Sequence, residues 1–503
     1  MANTNEDAKA LKLAKSLKNA GNWKHLARRT EAGYYELRTE DTGSVPVRLF
    51  FTPALLDAAE DNLYRQIVNA TRFPGVRLVV ITPDAHYGYG VPVGCVILTD
   101  AESGAVAMGP VGFDVGCGMM SAQSNVEAEA ATPELRLQFN RTVMGRVEMG
   151  AGGKSKKLDG LSESEFQNLV RGGAEYYVER YGAKFDRSRA ERHRIPVDDD
   201  WQIPYGGKGR PERGRDQLGS LGGGNHFIEL QRSAQTGTLF VQVHTGSRGF
   251  GHGLATNYFE LAREERPAEI TDLDLGYFTP DSKHYRDYLN AVAAGGNYAI
   301  LNRLIIFEQV AEAFRETFGA ELELVYEISH NLVQREKHPE FGDVWVHRKG
   351  ATRAFPAGHP ALKGTVWEET GHPVLIPGSN KDWSYILRPL AGAINSGYSV
   401  NHGAGRKLSR SAATRELSQR AIDDEYREAG IIVNTNGRVP LDEAGPAYKS
   451  SQEVIEAVTN AGLARIEHAL YPLASLKGVD ERKGKRRFNK GDKGGGKKTS
   501  QHY

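Results

Sequence analysis

Residues 111–118, Val-Gly-Phe-Asp-Val-Gly-Cys-Gly, place a carboxylate (Asp114) and a thiol (Cys117) three residues apart among glycines. Glycine lets the backbone turn tightly, so both side chains can be aimed at one point. A carboxylate and a thiolate aimed together are a start on a transition-metal site. The bland alternative is a Gly-rich turn around a small buried Cys. Three later histidines bear on the choice. His226 follows the Gly-rich run 218–225, His244 ends the apolar run 238–243, and His330 ends the run 322–329. A lone histidine at a strand end is usually structural. Three of them beside Gly, Ser or Asn, together with Asp-x-x-Cys, shift the balance toward metal. The ligand set is then Asp114, Cys117, His226, His244 and His330. These exceed one tetrahedral site. Two ions sharing the thiolate is a natural solution, and paired metals suit phosphoryl chemistry. Carboxylate favours harder ions such as manganese, while thiolate and imidazole would also take zinc.

A second stretch carries different chemistry. His402 is followed by Gly403-Ala404-Gly405, which lets a ligand approach the backbone, and then by Arg406, Lys407 and Arg410. One reading is a basic turn before a helix. The other makes His402 a nucleophile, since neutral imidazole can attack phosphorus, with the cations holding phosphates. Residues 347–353 (His-Arg-Lys-Gly-Ala-Thr-Arg) read either as a phosphate-binding stretch using Arg348, Lys349 and Arg353 or as a solvated basic loop, and Arg248 sits close behind His244. Asp84 and His86, in the polar loop 83–90, are either supporting or substrate groups or parts of a structural turn.

The elements that must position these groups follow from patterning. Period-two apolar runs mark strands at 47–51, 76–82, 91–98, 238–244 and 322–329, with further strands from 119 and at 227–230. Helical spacing marks 5–20, 53–71, 131–146, 162–181, 285–318 (one helix or two), 412–424 and 451–470. Residues 183–217, rich in Arg, Asp, Pro and Gly, read as a surface insertion. The last stretch, 480–503, has too little apolar content to fold and reads as a disordered basic tail. It is either an RNA arm or a solubilising tail. The whole chain of 503 residues is 39% hydrophobic and 25% charged with a formal net charge of +1, so any nucleic-acid affinity must come from a local patch. Two cysteines make no disulfide framework and suit a reducing compartment. No leader or membrane-spanning run is evident, so the expectation is a cytoplasmic protein.

Taken together the motifs resemble the RtcB-type RNA ligases. The resemblance is carried by PDAHYGYGVPVG at 83, VGFDVGCGM at 111, LGSLGGGNHFIE at 218, HTGSRG at 244, SHN at 329, HRKGATRA at 347, PGS at 377, HGAGR at 402, AYK at 447 and LKG at 476. It implies one large α+β domain with mixed β-sheets and a central active-site cleft, here residues 1–479. It also implies two manganese ions and GTP. Cys117 would bridge the ions, Asp114 and His226 completing one site and His244 and His330 the other. His402 would become guanylylated. The guanylate would pass to an RNA 3′-phosphate, itself formed from a 2′,3′-cyclic phosphate, and a 5′-hydroxyl would then seal the strand.

By the same resemblance Asn225, His226, Phe227, Glu229, His330, Asn331, Pro377, Gly378, Ser379, Ser384, His402, Gly403, Ala404, Gly405, Tyr448 and Lys477 surround the nucleotide, Glu229 reading the guanine edge. Arg248, Arg348, Lys349, Arg353, Arg406 and Arg410 are the candidates for RNA phosphates. The chain departs from the family pattern at Asn380 and Lys381, after Pro377-Gly378-Ser379, and at Asn401, all beside the nucleotide. Two other functions compete: a metal-dependent cyclic-phosphate phosphoesterase that does not seal, and a non-catalytic RNA-binding paralogue.

Overall fold

Most of the period-two runs form strands, and their register explains the site. The computed structural model describes residues 17–270 and 272–478. Most of the expected helix at 5–20 and all of the tail at 480–503 lie outside those residues. Two large sheets organise the α+β fold. The first runs in the order Arg28–Arg29, Tyr35–Leu37, Val47–Leu49, Val76–His86, Val93–Asp100, Gly342–Lys349, Asn331–His338. Its one parallel pair is Val47–Leu49 with Val76–His86. The second runs Glu323–Ser329, Gly118–Glu127, Thr238–Thr245, Phe227–Ser233, Ala464–Lys477, Ser384–Pro389, Val374–Ile376, with Ile432–Val433 parallel to Ala464–Lys477. Ala351–Arg353 pairs with Ser399–Asn401 in a small separate ladder.

In the second sheet Gly118 lies opposite both Ser329 and Thr245, and Phe227 lies opposite His244. Four strand ends therefore meet in two adjacent rows, Ser329, Gly118 and Thr245 in one and Ile328, Met119, His244 and Phe227 in the next. Cys117 and His330 sit one residue beyond the first row, His244 lies in the second, and His226 directly precedes Phe227. Antiparallel pairing fixes this alignment, because a slip by one residue would turn every side chain to the other face.

Four elements differ from the sequence expectation. The run at 451–470 is a helix only over Ser451–Asn460. Gly462 then takes φ +62°, the left-handed conformation that commonly ends a helix, and Ala464–Lys477 continues as a strand. The strand from Val76 continues through the expected loop to His86, across a break in register between Ile81 and His86 where Pro83 has no N–H to donate. The helical runs 53–71 and 412–424 are each split, into Pro53–Ala58 and Leu63–Ala70, and into Arg410–Glu416 and Gln419–Glu428. Among the described residues no helix is long and apolar enough to cross a membrane.

The helix Tyr285–Phe318 packs behind the row of strand ends. Besides its apolar face it buries Asn297, Asn302 and Arg303 completely. Asn302 accepts from Gly219 N at 2.6 Å and donates to Ser220 O, Gly246 O and Thr245 Oγ1. Arg303 donates to Gly116 O at 2.7 Å, Thr245 O at 3.0 Å, Ser329 Oγ at 2.8 Å and Glu327 Oε1 at 2.5 Å. Buried backbone carbonyls need partners, and here two side chains of one helix satisfy the loops that carry the site. Segment 183–217 has neither α-helix nor strand, yet Glu191 within it is buried and accepts from Ser329 N at 3.1 Å, next to His330.

Replacing Arg303 by Met should lower stability by about 3–5 kcal/mol, because Glu327 is left buried without its counter-ion. The double variant Arg303→Met, Glu327→Met should recover part of the loss. Chemical denaturation of the variants checks both outcomes.

Candidate metal centre and adjoining histidine

The row of strand ends brings the expected ligands together. Cys117 Sγ lies 3.3 Å from His244 Nε2 and 3.6 Å from His226 Nε2. His226 Nε2 is 2.9 Å from Asp114 Oδ2, and His244 Nε2 is 3.3 Å from His330 Nε2. Two groups with metal-compatible spacing result, Asp114/Cys117/His226 and Cys117/His244/His330, and Cys117 belongs to both.

The hydrogen bonds behind the ligands make the donor set fit cations. His226 Nδ1 faces Leu221 O and His244 Nδ1 faces Asn225 O, each at 3.1 Å. A carbonyl only accepts, so each Nδ1 carries the proton; the buried His244 then presents its Nε2 lone pair inward, while Nε2 of His226 faces the Asp114 carboxylate. Burial holds His244 and His330 well below the usual imidazole range, which keeps them neutral. His330 Nδ1 is buried without a hydrogen-bond partner, and its Nε2 faces His244 Nε2 at 3.3 Å, a spacing compatible with two donors around one cation. Asp114 Oδ1 accepts from Ser247 N at 2.9 Å and Ser247 Oγ at 3.3 Å, leaving Oδ2 for the cluster. Burial alone would raise the Asp114 carboxyl, but the His226 contact outweighs it and the group stays ionised. Burial and the charge of Asp114 push the Cys117 thiol up, so a metal must displace its proton. The geometry demands small residues nearby: a Cβ on Gly246 would sit 2.2 Å from Asp114 Oδ1.

His402 stands beside this cluster, its ring edge-on to His330 with centroids 4.9 Å apart. Its Nδ1 is 2.7 Å from Asp84 Oδ2, and its backbone N–H and that of Gly403 donate to the same oxygen. Asp84 Oδ1 accepts from Thr82 Oγ1 at 2.6 Å. Asp84 is fully buried; burial raises its carboxyl, His402 and Thr82 lower it, and the net shift is downward. An ionised acceptor on Nδ1 leaves Nε2 as a lone pair. Of the two readings of Asp84, the one that supports His402 is the one the geometry follows. Gly405 (φ +78°) lets the loop press against that strand, since a Cβ there would lie 2.1 Å from Asp84 O. Lys449 ties the two together: its N–H donates to Gly405 O and its ammonium to Ala85 O and Pro83 O.

The residues expected around a nucleotide form a wall next to His402. Ser384 Oγ accepts from Gly378 N at 3.0 Å and from Gln231 Nε2 at 3.1 Å, and Gln231 Nε2 also donates to Glu229 Oε1 at 2.7 Å. Burial raises Glu229 to about 7. Ser379 Oγ caps its own turn through Asp382 N. Asn331 donates to Asp114 O and accepts from Gly350 N. Gly403 lies against Pro377, and Ala404 is buried. Lys477 Nζ lies 5.3 Å above the Phe227 ring. Asn380 accepts from Tyr426 Oη, and Asn401 donates to Gly403 O at 2.7 Å.

Sequence reasoning missed Glu443. It is 2% exposed and gathers Lys477 (3.4 Å), Arg406 (3.4 Å), Arg410 (3.1 Å) and the Tyr448 hydroxyl around one carboxylate. Its place six residues before the AYK lysine was the available signal. Arg410 is the most open of these cations and packs on Gly224, next to Asn225 and His226.

The other phosphate candidates are engaged inside the protein. Rather than an exposed loop, 347–353 forms strands. Arg348 is 2% exposed and pairs with Glu336 at 2.7 Å; Arg353 pairs with Glu191 at 3.3 Å; Lys349 donates to Tyr89 O and Val91 O. Arg248 donates to Gly150 O and Ala151 O from a backbone with φ +52°. His86 Nδ1 contacts Asp84 O at 3.0 Å.

Comparison with known proteins agrees with this arrangement. A family model described as "tRNA-splicing ligase RtcB" matches residues 66–478. A tRNA-splicing ligase RtcB of Pyrobaculum aerophilum is 36% identical over 468 residues, covering 86% of this chain and 95% of the relative. One of Thermococcus kodakarensis is 34% identical over 464 residues, covering 86% and 95%. An RNA-splicing ligase RtcB of Mycobacterium tuberculosis is 36% identical over 443 residues, covering 82% and 100%. The row of strand ends that gathers a shared cysteine, the histidine beside it, and a match over most of the chain lead to one conclusion: this protein belongs to the RtcB family of RNA-splicing ligases.

Proposed function

We propose that the chain is a GTP- and manganese-dependent RNA ligase. It joins RNA ends bearing a 3′-phosphate or 2′,3′-cyclic phosphate to 5′-hydroxyl ends, in tRNA splicing or RNA repair. The observation that carries this reading is His402, held through Nδ1 by a buried, ionised Asp84 and edge-on to a ligand of the metal centre. A histidine so held has a bare Nε2 and a fixed direction, which is what nucleophilic attack on phosphorus requires.

In the first step His402 Nε2 forms a bond to the α-phosphorus of GTP, the bond to the β-phosphate oxygen breaks, and pyrophosphate leaves. Asp84 stabilises the positive charge that grows on the ring. In the second, an oxygen of the RNA 3′-phosphate takes the guanylyl group, giving RNA-3′-pp-5′-G and restoring neutral His402. In the third, the 5′-hydroxyl attacks the 3′-phosphate and GMP leaves. Asp114, Cys117 and His226 would hold one ion, and Cys117, His244 and His330 the other. Their chemistry is neutralisation of phosphate charge and activation of water to open a cyclic phosphate. Glu229 accepts from the N1–H and amino group of guanine. Glu443 arrays Tyr448, Lys477, Arg406 and Arg410 along the nucleotide and its phosphates. Free, buried Cys95 and Cys117 fit the reducing cytoplasm.

Incubation with α-labelled GTP and manganese should label the protein through an acid-labile, alkali-stable bond, and His402→Ala should reduce labelling below detection. Unlabelled wild-type protein under manganese, zinc and cobalt alike would leave phosphoesterase chemistry or RNA binding as the function. Cys117→Ala should weaken metal retention by more than about 100-fold, beyond the roughly 10–100-fold typical of outer partners, as read by metal analysis after dialysis. Below about pH 7 the Glu229 carboxyl gains a proton and turns one acceptor toward guanine into a donor. The dissociation constant for GMP should therefore rise by roughly tenfold from pH 8 to pH 6. That dependence should vanish in Glu229→Gln, as read by calorimetry.

A further inference from the structure

Tyr89 is 59% exposed, although the turn that carries it is among the most firmly anchored at the site. Gly88 exchanges two hydrogen bonds with the buried Gln66 side chain, Gly88 O at 2.6 Å and Gly88 N at 2.9 Å. Asn69 donates to Gly90 O at 2.8 Å. The buried ammonium of Lys349 donates to Tyr89 O at 2.6 Å and Val91 O at 3.1 Å. Gly90 takes φ +69°, where a Cβ would meet Asp274 O at 2.7 Å. A single exposed aromatic needs no explanation by itself. Fixing the backbone on both sides of it with the buried Gln66 and Lys349 and the half-buried Asn69 does, because that rigidity holds the ring out in solvent.

The ring is not alone. Its edge meets the Phe113 ring at 5.9 Å and 87°, and Phe113 in turn stacks on His252 at 5.1 Å and 21° and leans on Phe259 at 5.0 Å. Phe113 immediately precedes Asp114 of the metal centre. An aromatic row therefore leads from solvent to the metal loop.

We propose that Tyr89, backed by Phe113, is a stacking platform for a nucleobase of the RNA strand whose end enters the metal centre; this rests on the RNA-ligase reading above. The chemistry selects a base over other occupants. One planar ring on a rigid stalk offers a π-face rather than an apolar groove, and every base has a π-face to match it. The platform reads no base identity. It sets how far the terminal phosphate reaches past Phe113 toward Cys117, so a ligase acting on ends of varied sequence gains register without specificity.

The test uses the full-length, metal-loaded protein and short single-stranded RNAs ending in a 3′-phosphate or in a 5′-hydroxyl. Each is made with an intact base or an abasic site at one of the positions nearest the end. The readout is the ratio of dissociation constants, abasic over intact, which does not depend on the folded fraction. Wild-type protein should show a ratio of roughly 5–150 at one position, the range set by one base–aromatic stack. Tyr89→Ala should bring that ratio to about one, and Tyr89→Phe should keep it. An equal ratio in wild type and Tyr89→Ala, or no sensitive position in wild type, overturns the platform. Wild-type protein that binds neither RNA overturns the ligase reading itself, and the platform with it.

Discussion

The structure depends on one electrostatic constraint: three imidazoles, a carboxylate and a thiol converge within a few ångströms of each other in a buried place. His244 and His330 Nε2 lie 3.3 Å apart, and Cys117 lies as close to His244. Such crowding persists only where the surroundings over-determine it. Three features do so. Antiparallel register puts Gly118, Ser329 and Thr245 in one row and Met119, His244 and Phe227 in the next. Backbone carbonyls hold the protons of His226 and His244 on the outer nitrogens. Arg303 and Asn302 brace the loops from behind. The cost of burying Arg303 and Glu327 is offset locally by the hydrogen bonds Arg303 makes to Gly116, Thr245 and Ser329.

The histidine beside this cluster comes from elsewhere. His402 follows the small ladder Ala351–Arg353 with Ser399–Asn401, and Asp84 belongs to the first sheet, whereas the ligands sit at one end of the second. The site is thus the seam between two sheets. Lys449 spans it by holding Gly405 with its backbone and the carbonyls flanking Asp84 with its side chain. Glu443 does the same for the cations, so residues 443–449 organise both the nucleophile and its phosphate-facing neighbours.

Much of this was legible in the sequence, and the limits have physical causes. The ligand set could be read because metal ligands announce themselves by residue type: His244 and His330 terminate apolar runs, and Asp114 and Cys117 share a Gly-rich turn. Their mutual proximity could not be read, since it depends on strand register over more than a hundred residues. The buried status of Arg348, Lys349 and Arg353 was invisible for the opposite reason. A basic run reads alike whether it faces solvent or internal carboxylates, and Glu336 and Glu191 lie far enough away in sequence to give no local cue. The strand Ala464–Lys477 was misread as helix up to residue 470, although Gly462, inside that run, argued against it.

The central claim is that Cys117 is shared by two cations beside His402. Electron paramagnetic resonance of the manganese-loaded protein tests it most directly, because two Mn(II) ions joined through one sulfur are spin-coupled. The account predicts a coupled dinuclear spectrum that reverts to that of isolated ions when Cys117 is replaced by Ser. A spectrum of uncoupled Mn(II) in the wild-type protein at full loading would contradict it.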